Sequence, residues 1–212
     1  MQIKTIQLGA NKANCYIVID ELSGNAAVID PGAYESTLTD VLNDASIKKL
    51  KFILLTHGHY DHVLGAYDLK QASGAKIAVH KNDAPCLEDD KKSLAIYLGA
   101  NIQKYVKADI HLEDGMCLKL GETLIEIIHT PGHTQGGVCF FCESQKMIFT
   151  GDTLFKYDVG RTDLPGGSMS ELVTSMNKLS GLKGDYKIYP GHGPATTLDE
   201  ERKNNEYMRI TG

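Results

Sequence analysis

The stretch Thr56-His57-Gly58-His59-Tyr60-Asp61-His62 indicates the chemistry of this chain. It holds three imidazoles and a carboxylate, and it directly follows the apolar run Phe52-Ile53-Leu54-Leu55. Imidazole nitrogens and carboxylate oxygens are the ligands that zinc and iron take where thiolates are absent. A solvated polar loop would explain one histidine here, but the HxHxDH spacing after an apolar run indicates a metal site.

Three further segments place a histidine or an aspartate in a glycine-containing turn after an apolar run. They are Thr130-Pro131-Gly132-His133-Thr134, Thr150-Gly151-Asp152-Thr153 and Pro190-Gly191-His192-Gly193. Loops at strand ends are where a rigid scaffold usually presents its chemistry. Each segment alone is a weak signal, but the four together strengthen the prediction of a metal site.

Length and charge narrow the function classes. A chain of 212 residues suits a single domain spanning residues 1–212. It has no apolar run long enough to cross a membrane, and its first residues lack the pattern of a signal peptide, so we expect a cytoplasmic protein. The net charge of −5, with scattered Lys and Arg, predicts no nucleic-acid partner. The lack of a long apolar run predicts no membrane partner, and the oligomeric state stays open.

The five cysteines do not indicate a second metal site or a disulfide framework. An odd number without an export signal argues against disulfides. Cys139 and Cys142 have CxxC spacing, but they lie in a predicted strand. Residues three apart on a strand point to opposite faces, so we expect two buried apolar side chains instead of a chelating pair.

Apolar patterns predict two strand-rich runs, each followed by helices. The predicted strands cover residues 5–8, 14–20, 26–30, 52–55, 117–120, 123–129, 137–142, 147–150 and 187–189. The predicted helices cover residues 34–45, 61–71, 169–179 and 198–208, with a capping box from Ser168 to Glu171. In residues 84–107 we expect one or two short helices that cover an edge of the active site. Two packed sheets with helices outside would bury these strands.

The ordered motifs THGHYDH, TPGHT, TGDT and PGHG resemble the metallo-β-lactamase superfamily. Ile29-Asp30-Pro31-Gly32 is similar to that family's opening. The resemblance implies an α+β fold, the four-layer αββα sandwich. It also implies that one metal is held by His57, His59 and His133, a second by Asp61, His62 and His192, and that Asp152 bridges the two. Asp61 and Asp152 are then the acidic residues at the centre of catalysis.

Ligand number independently favours two divalent cations. Seven nitrogen and oxygen ligands exceed what one ion takes while leaving room for substrate. Two cations about 3.5–4 Å apart can share a bridging hydroxide, which is a nucleophile at neutral pH, and can polarise a carbonyl. Hydrolysis of an activated acyl bond is the expected reaction. We expect zinc, although His/Asp sites also accept iron and manganese.

Residues 151–167 narrow the resemblance to the short branch similar to hydroxyacylglutathione hydrolase, or glyoxalase II. That branch implies hydrolysis of a thioester such as S-lactoylglutathione or another hydroxyacyl-thiol. β-Lactamases of the superfamily carry a cysteine at the position of Asp152, so antibiotic hydrolysis is not expected. The chain lacks the longer basic C-terminal region of classical members, which puts glutathione as the carrier thiol in doubt.

Three residues after Asp152 are candidates for substrate binding. Arg161 can pair with an anionic thiol portion, and its alternative role is an ion pair with Asp158 or Asp163. Phe155 and Tyr157 either line the pocket or pack in the core. Two further positions carry alternatives of their own. Asp30 either orients a ligand or caps a turn, and His129 either supports a ligand or bonds backbone.

Persulfide dioxygenases are the main rival, because they share the Gly160-Arg161-Thr162-Asp163 stretch. That resemblance implies a single iron, for which His57, His133 and Asp152 would suffice. Leu164-Pro165-Gly166-Gly167 favours the hydrolase instead. A non-catalytic metal-binding module is the third and weakest interpretation.

Overall fold

Two six-stranded sheets form the centre of the computed structural model, which describes residues 1–99 and 102–208. The first sheet holds β1 (Gln2–Leu8), β2 (Ala13–Ile19), β3 (Asn25–Ile29), β4 (Lys49–Leu54), β5 (Lys76–His80) and β6 (Ile110–Leu112) in that spatial order. Strands β1 to β3 pair antiparallel, and β3 to β6 pair parallel. The sheet is therefore mixed.

The second sheet is formed by the later part of the chain. Its strands are β7 (Cys117–Leu120), β8 (Thr123–His129), β9 (Val138–Cys142) and β10 (Met147–Gly151). A small hairpin of β11 (Leu154–Phe155) and β12 (Asp158–Val159) follows, and β13 (Lys187–Pro190) and β14 (Thr196–Thr197) complete the sheet. The spatial order is β14-β13-β10-β9-β8-β7.

Helices cover the outer face of each sheet. The first sheet carries α1 (Ser36–Leu42), α2 (Tyr60–Val63) and α3 (Ala66–Ser73), and the second carries α4 (Met169–Ser180) and α5 (Leu198–Asn204). Short 3₁₀ helices lie at Ala84–Glu88, Ala95–Leu98, Glu143–Gln145 and Glu206–Met208. The predicted α+β, four-layer αββα sandwich is confirmed. No helix in the described parts of the chain has the length and apolarity of a membrane span.

Three buried apolar clusters separate these layers. The middle cluster lies between the sheets and takes residues from both, such as Val18 and Phe140. One outer cluster joins the first sheet to α1–α3 through Leu38 and Leu69, and the other joins the second sheet to α4 and α5. Cys142 belongs to the middle cluster and Cys139 to an outer one. The prediction that these two thiols point to opposite faces is confirmed.

The structure corrects several predicted elements. Strands β5 and β6 were not predicted. The helix predicted at 61–71 is interrupted, because the Gly65 amide donates to the Pro31 carbonyl at 2.8 Å and leaves the helical pattern. The helix predicted at 34–45 is confined to Ser36–Leu42, and the one at 198–208 ends at Asn204 before a 3₁₀ turn. The Ser168 hydroxyl does cap α4 by accepting from the Glu171 amide.

Four strands deliver their carboxyl ends to one edge of the sandwich. Strand β10 runs parallel to β13 and in the same direction as β8, since both β8 and β10 pair antiparallel with β9. The two sheets are hydrogen-bonded to each other at this edge. The Asn14 amide donates to the Gly191 carbonyl at 2.7 Å, and the Val138 amide donates to the Thr56 carbonyl at 2.8 Å. The loops after β4, β8, β10 and β13 therefore meet.

Candidate metal centre

All seven predicted ligand side chains converge at this edge. Their nitrogen and oxygen atoms form three overlapping groups, each with its atoms within 4.8 Å of one another. The groups are His57 with His59 and His133, His57 with His62 and Asp152, and Asp61 with His62 and His192. The first and third contain the predicted ligands of the two metals. The geometry brings the side chains together, and their binding of metal remains a prediction.

Neighbouring groups fix the orientation of three of these imidazoles. The Thr56 hydroxyl donates to Asp30 at 2.6 Å, so its oxygen is free to accept from Nδ1 of His57 at 3.1 Å. Nδ1 of His62 donates to the Asp30 carboxylate at 2.9 Å, and Nδ1 of His133 donates to the Arg161 carbonyl at 2.7 Å. With hydrogens on Nδ1, the lone pairs on Nε2 are available to a metal.

Asp152 lies between the two predicted sets of ligands. One of its oxygens is 3.6 Å from Nε2 of His133 and 3.7 Å from Nε2 of His192, and the other is 3.4 Å from Nε2 of His62. These nitrogen–oxygen distances are too long for good hydrogen bonds. They are what a carboxylate would show if it faced cations placed between it and the imidazoles.

Two buried polar atoms test whether the residues fit metal ions. Nε2 of His57 and Oδ1 of Asp152 are buried and have no hydrogen-bond partner. Buried polar atoms without partners are rare in native proteins because they carry a desolvation cost. Both atoms belong to the predicted ligand set, and imidazole with carboxylate suits zinc, iron or manganese. The residues therefore fit divalent cations.

Electrostatics keep His57, His59 and Asp61 in the protonation states that metals need. Burial lowers the pKa of His57 well below its ordinary value, and burial with neighbouring His133 lowers the pKa of His59 to about 3. Burial would raise the pKa of Asp61, but its contact with His192 and the charge of His62 lower it. At neutral pH these two imidazoles are neutral and Asp61 is a carboxylate, as ligation requires.

His62 behaves differently. Burial acts to lower its pKa, but the charges of Asp152 and Asp30 and the hydrogen bond to Asp30 outweigh it and raise the pKa to about 10. Without a cation, His62 therefore carries a proton that sits among carboxylates. A metal ion would supply the same positive charge, so binding there is expected to displace this proton.

Two supporting residues were not predicted from the sequence. Asp83 is buried, and its carboxylate accepts hydrogen bonds from the loops that carry His59 and His133. Asn11 donates from Nδ2 to Asp61 at 3.0 Å. Asp83 follows β5, which was itself not predicted, so no strand-end signal marked it. Asn11 lies in a turn without any chemical motif.

The structure decides the alternatives left open for Asp30 and His129. Asp30 is buried and orients His62, while it also accepts from the Thr56 amide at 2.8 Å. His129 bonds the backbone carbonyl of Gln135 at 3.1 Å, and its ring stacks on His80 with centroids 4.1 Å apart. His129 therefore has the backbone role.

A cleft of about 250 Å³ opens over the ligands. Beyond His59, Asp61, His133 and Asp152, it is lined by Asn11, Tyr60, Leu94, Tyr97, Arg161 and Leu164. Arg161 reaches the cleft, but its guanidinium donates two bonds to Asp163, at 2.6 and 2.7 Å. The ion pair with Asp163 that the sequence left as an alternative is therefore present.

The other two predicted substrate contacts occupy different places. The ring of Phe155 lies 6.2 Å from that of His192, at the border of the centre. Tyr157 is at an exposed turn with φ of +63°, its hydroxyl donates to Glu200 at 2.6 Å, and the structure does not place it on the cleft. Substrate contact by Arg161, Phe155 and Tyr157 stays a prediction.

Comparisons with known proteins agree with this geometry. The chain is 36% identical to hydroxyacylglutathione hydrolase GloC of Haemophilus influenzae over 210 residues, which covers 98% of both chains. The crystal structure of the BLEG-1 B3 metallo-β-lactamase is similar with a TM-score of 0.90 and 30% identity, over 98% of this chain and 99% of that one.

Two further solved structures bear on the metal. TTHA1623 in a di-iron-bound form has a TM-score of 0.83 and 33% identity, over 96% of this chain and 99% of that one. ETHE1 from Myxococcus xanthus has a TM-score of 0.79 and 25% identity, over 97% and 84% of the two chains. The sequence profile described as metallo-beta-lactamase superfamily matches residues 8–192, which include every predicted ligand. The chain therefore belongs to the metallo-β-lactamase superfamily.

Proposed function

We propose that the protein is a thioester hydrolase that works with two divalent cations. The superfamily and the GloC relative support a metal-dependent hydrolase. The thioester substrate, such as S-lactoylglutathione or another hydroxyacyl-thiol, is our extension from that relative and from residues 151–167. The observation that carries the proposal of two ions is the position of Asp152, whose carboxylate oxygens lie 3.4–3.7 Å from Nε2 of His133, a ligand of the first set, and from Nε2 of His62 and His192, ligands of the second.

The residues divide into two sets with one shared member. His57, His59 and His133 would hold one cation, Asp61, His62 and His192 the other, and Asp152 both. Two cations held there would lower the pKa of water and polarise the substrate carbonyl. In the reaction, water supplies a hydroxyl to the acyl carbon, the carbon–sulfur bond breaks, and the proton goes to the departing thiolate. No oxidant or reductant is consumed.

Non-ligand groups position these side chains. Asp30 holds the His62 ring, the Arg161 carbonyl holds the His133 ring, and Asn11 holds the Asp61 carboxylate. Such groups typically change metal affinity or activity by about 10- to 100-fold when removed. The proposed partner is a small thioester. We propose no nucleic-acid partner, because the net charge is −5, and no membrane partner, because no apolar run is long enough to cross a membrane. We retain zinc as the proposed metal and the cytoplasm as the proposed location.

Asp61→Ala tests the proposal most directly. Because Asp61 lies at the cleft and would hold only the second cation, we expect metal content to fall from about two ions per chain to about one. Thioester turnover should fall at least about 100-fold, while the circular dichroism spectrum stays unchanged. The measurement is elemental analysis together with a thioester panel. Asp40→Ala, an exposed aspartate on α1, is the control. Near-normal turnover by Asp61→Ala would show that a second cation is dispensable.

A second candidate is the persulfide dioxygenase, which the Gly160-Arg161-Thr162-Asp163 stretch favours. It predicts one iron per chain and consumption of O₂ with a persulfide substrate, without thioester turnover. The structure is similar to the BLEG-1 B3 metallo-β-lactamase. The prediction that this protein does not hydrolyse antibiotics is therefore tested by including a β-lactam in the substrate panel. The panel on protein of measured metal content separates all three activities.

A further inference from the structure

Two cationic side chains line the cavities that border the metal centre, within the described residues. Arg161, the predicted anchor for an anionic substrate, is held by both oxygens of Asp163. That bidentate pair neutralises the guanidinium and occupies two of its five donors. The other cation is Lys92, at the end of the charged run Glu88-Asp89-Asp90-Lys91-Lys92.

Lys92 lines a second cavity of about 350 Å³ that adjoins the metal cleft. His59 lines both cavities, so a molecule lying over the metal ligands can extend past His59 towards Lys92. Lys92 is exposed, and its ammonium forms no ion pair with any residue between 1 and 99 or between 102 and 208. Among the residues that the structure describes, Lys92 is therefore a positive charge without an ion-pair partner, at the wall of a concave site.

The other walls suit a carboxylate. Asn82 and Gln135 line the cavity and carry carboxamide groups, which donate hydrogen bonds. Asp83 is the acidic residue in this wall, and both of its oxygens are occupied by hydrogen bonds from Gly58, Thr134 and Gly136. Pro165 adds an apolar surface.

We propose that this cavity is a subsite for a carboxylate on the substrate, with Lys92 as its counter-charge. The inference rests on the proposed function. It narrows the substrate class to thioesters that carry a carboxylate, with the carbonyl at the metal ligands and the acid beside Lys92. Lysine acts here as a point charge and does not require the bidentate geometry that arginine provides. The acid can belong to the thiol portion or to the acyl portion, and the test separates the two.

The test uses two pairs of thioesters that differ only in one acid group. S-Lactoyl-3-mercaptopropionate is compared with its carboxamide, and the succinyl thioester of 2-mercaptoethanol is compared with its succinamoyl counterpart. We expect KM of the wild-type protein to be about tenfold lower for the acid of one pair, and the pair that responds identifies the portion that carries the acid.

Lys92→Met keeps the length of the side chain and removes its charge. We expect it to raise KM for the preferred acid about tenfold, while kcat and the KM of the carboxamide stay within about twofold. Lys91→Met is the matched control, because Lys91 is the adjacent exposed lysine and does not line the cavity. It should keep the preference for the acid.

Two outcomes overturn the subsite. One is a Lys92→Met variant that keeps the preference for the acid, and the other is a wild type with no such preference in either pair. If the wild type hydrolyses no thioester at all, the proposed function fails, and the subsite is tested by binding. NMR titration of metal-free protein with 3-(methylthio)propanoate and its carboxamide should then show preference for the acid in wild type and none in Lys92→Met. Equal titrations of the two proteins overturn it.

Discussion

The seven predicted ligand side chains are packed so closely that one added methyl group would displace a ligand. Gly191 shows how little space they leave. A Cβ added there would lie 2.2 Å from Oδ1 of Asp152 and 2.8 Å from Cε1 of His62. Gly191 also accepts the Asn14 amide that joins the two sheets. The glycine in the PGHG motif is therefore needed for the approach of two ligands from different loops.

Gly191→Ala should weaken metal binding without unfolding the protein. The added methyl group would displace the Asp152 carboxylate or the His62 ring, and both are predicted ligands. We expect metal affinity to fall by at least about tenfold, measured by competition with a chromophoric chelator. Gly181→Ala is the control, since its Cβ would meet no atom nearer than 3.4 Å. Unchanged affinity in Gly191→Ala would mean that the loops move apart easily.

The sequence predicted the metal ligands themselves, but few of the residues that hydrogen-bond to those ligands. His57, His59, Asp61 and His62 are recognisable because their types and spacing occur together along the chain. The partners are scattered, since Asp30 is 32 residues from His62 and Arg161 is 28 from His133. Arg161 contributes through a backbone carbonyl, which every residue possesses. No residue type could have indicated that role.

Asp83 holds two of the ligand-bearing loops in place, the loop after β4 and the loop after β8. One of its oxygens accepts from the Gly58 amide at 2.9 Å and the Thr134 hydroxyl at 2.7 Å, and the other accepts from the Gly136 amide at 2.7 Å. Burial raises the pKa of this carboxyl, although all three bonds favour the charged form. Asp83 thus joins the loop after β4 to the loop after β8.

Asp83→Ala should loosen both loops together. Because three buried donors would lose their acceptor, we expect the free energy of unfolding to fall by about 3 kcal/mol, measured by urea denaturation. Metal affinity should fall about 10- to 100-fold, because the loops carry His57, His59 and His133. Thr134→Val removes one of the three bonds and should cost about 1 kcal/mol. A larger loss from Thr134→Val than from Asp83→Ala would contradict this role.

The predicted elements were most accurate where period and capping signals agreed, as in α4 with Ser168 and Glu171. The sequence did not reveal β5, because four of its five residues are buried and so lack the alternation of a half-exposed strand. It also placed one helix over residues 61–71. The break at Gly65 depends on the Pro31 carbonyl, which only the folded chain brings near.

The whole molecule is joined at both edges of the sandwich. Opposite the metal centre, Asp20 follows β2 and binds the turn between β7 and β8. Its carboxylate accepts from Ser23 on its own sheet and from the Glu122 and Thr123 amides and the Thr123 hydroxyl on the other. Burial acts to raise the pKa of Asp20, but these hydrogen bonds outweigh it and lower the pKa to about 2.

The Asp20 bonds should make stability depend on pH in acid. The folded pKa lies below the unfolded value of about 3.9, so the contribution is complete above about pH 5 and is lost as pH falls through about 2. The shift corresponds to about 2.5 kcal/mol. Asp20→Asn should therefore be about 2.5 kcal/mol less stable than wild type at pH 7, with the gap closing towards pH 2. Denaturation at several pH values measures this, and a gap independent of pH would contradict it.

Metal removal should destabilise the whole fold. A ligand that binds only the folded state stabilises it by about 2.7 kcal/mol at a free concentration 100 times Kd. For a chain of this size, each kcal/mol shifts Tm by roughly 2–4 °C. We therefore expect a chelator to lower Tm by about 5–11 °C, and added zinc to restore it, in thermal scans followed by circular dichroism. An identical Tm with and without chelator would argue that the ligands bind no metal.

Four of the predicted ligands come from loops of the first sheet and three from loops of the second. Cations bound there would cross-link one half of the chain to the other. A zinc-starved cell would then hold the same polypeptide in a more easily opened form, which proteases cut sooner. The abundance of this protein would follow the supply of metal even where its synthesis did not change.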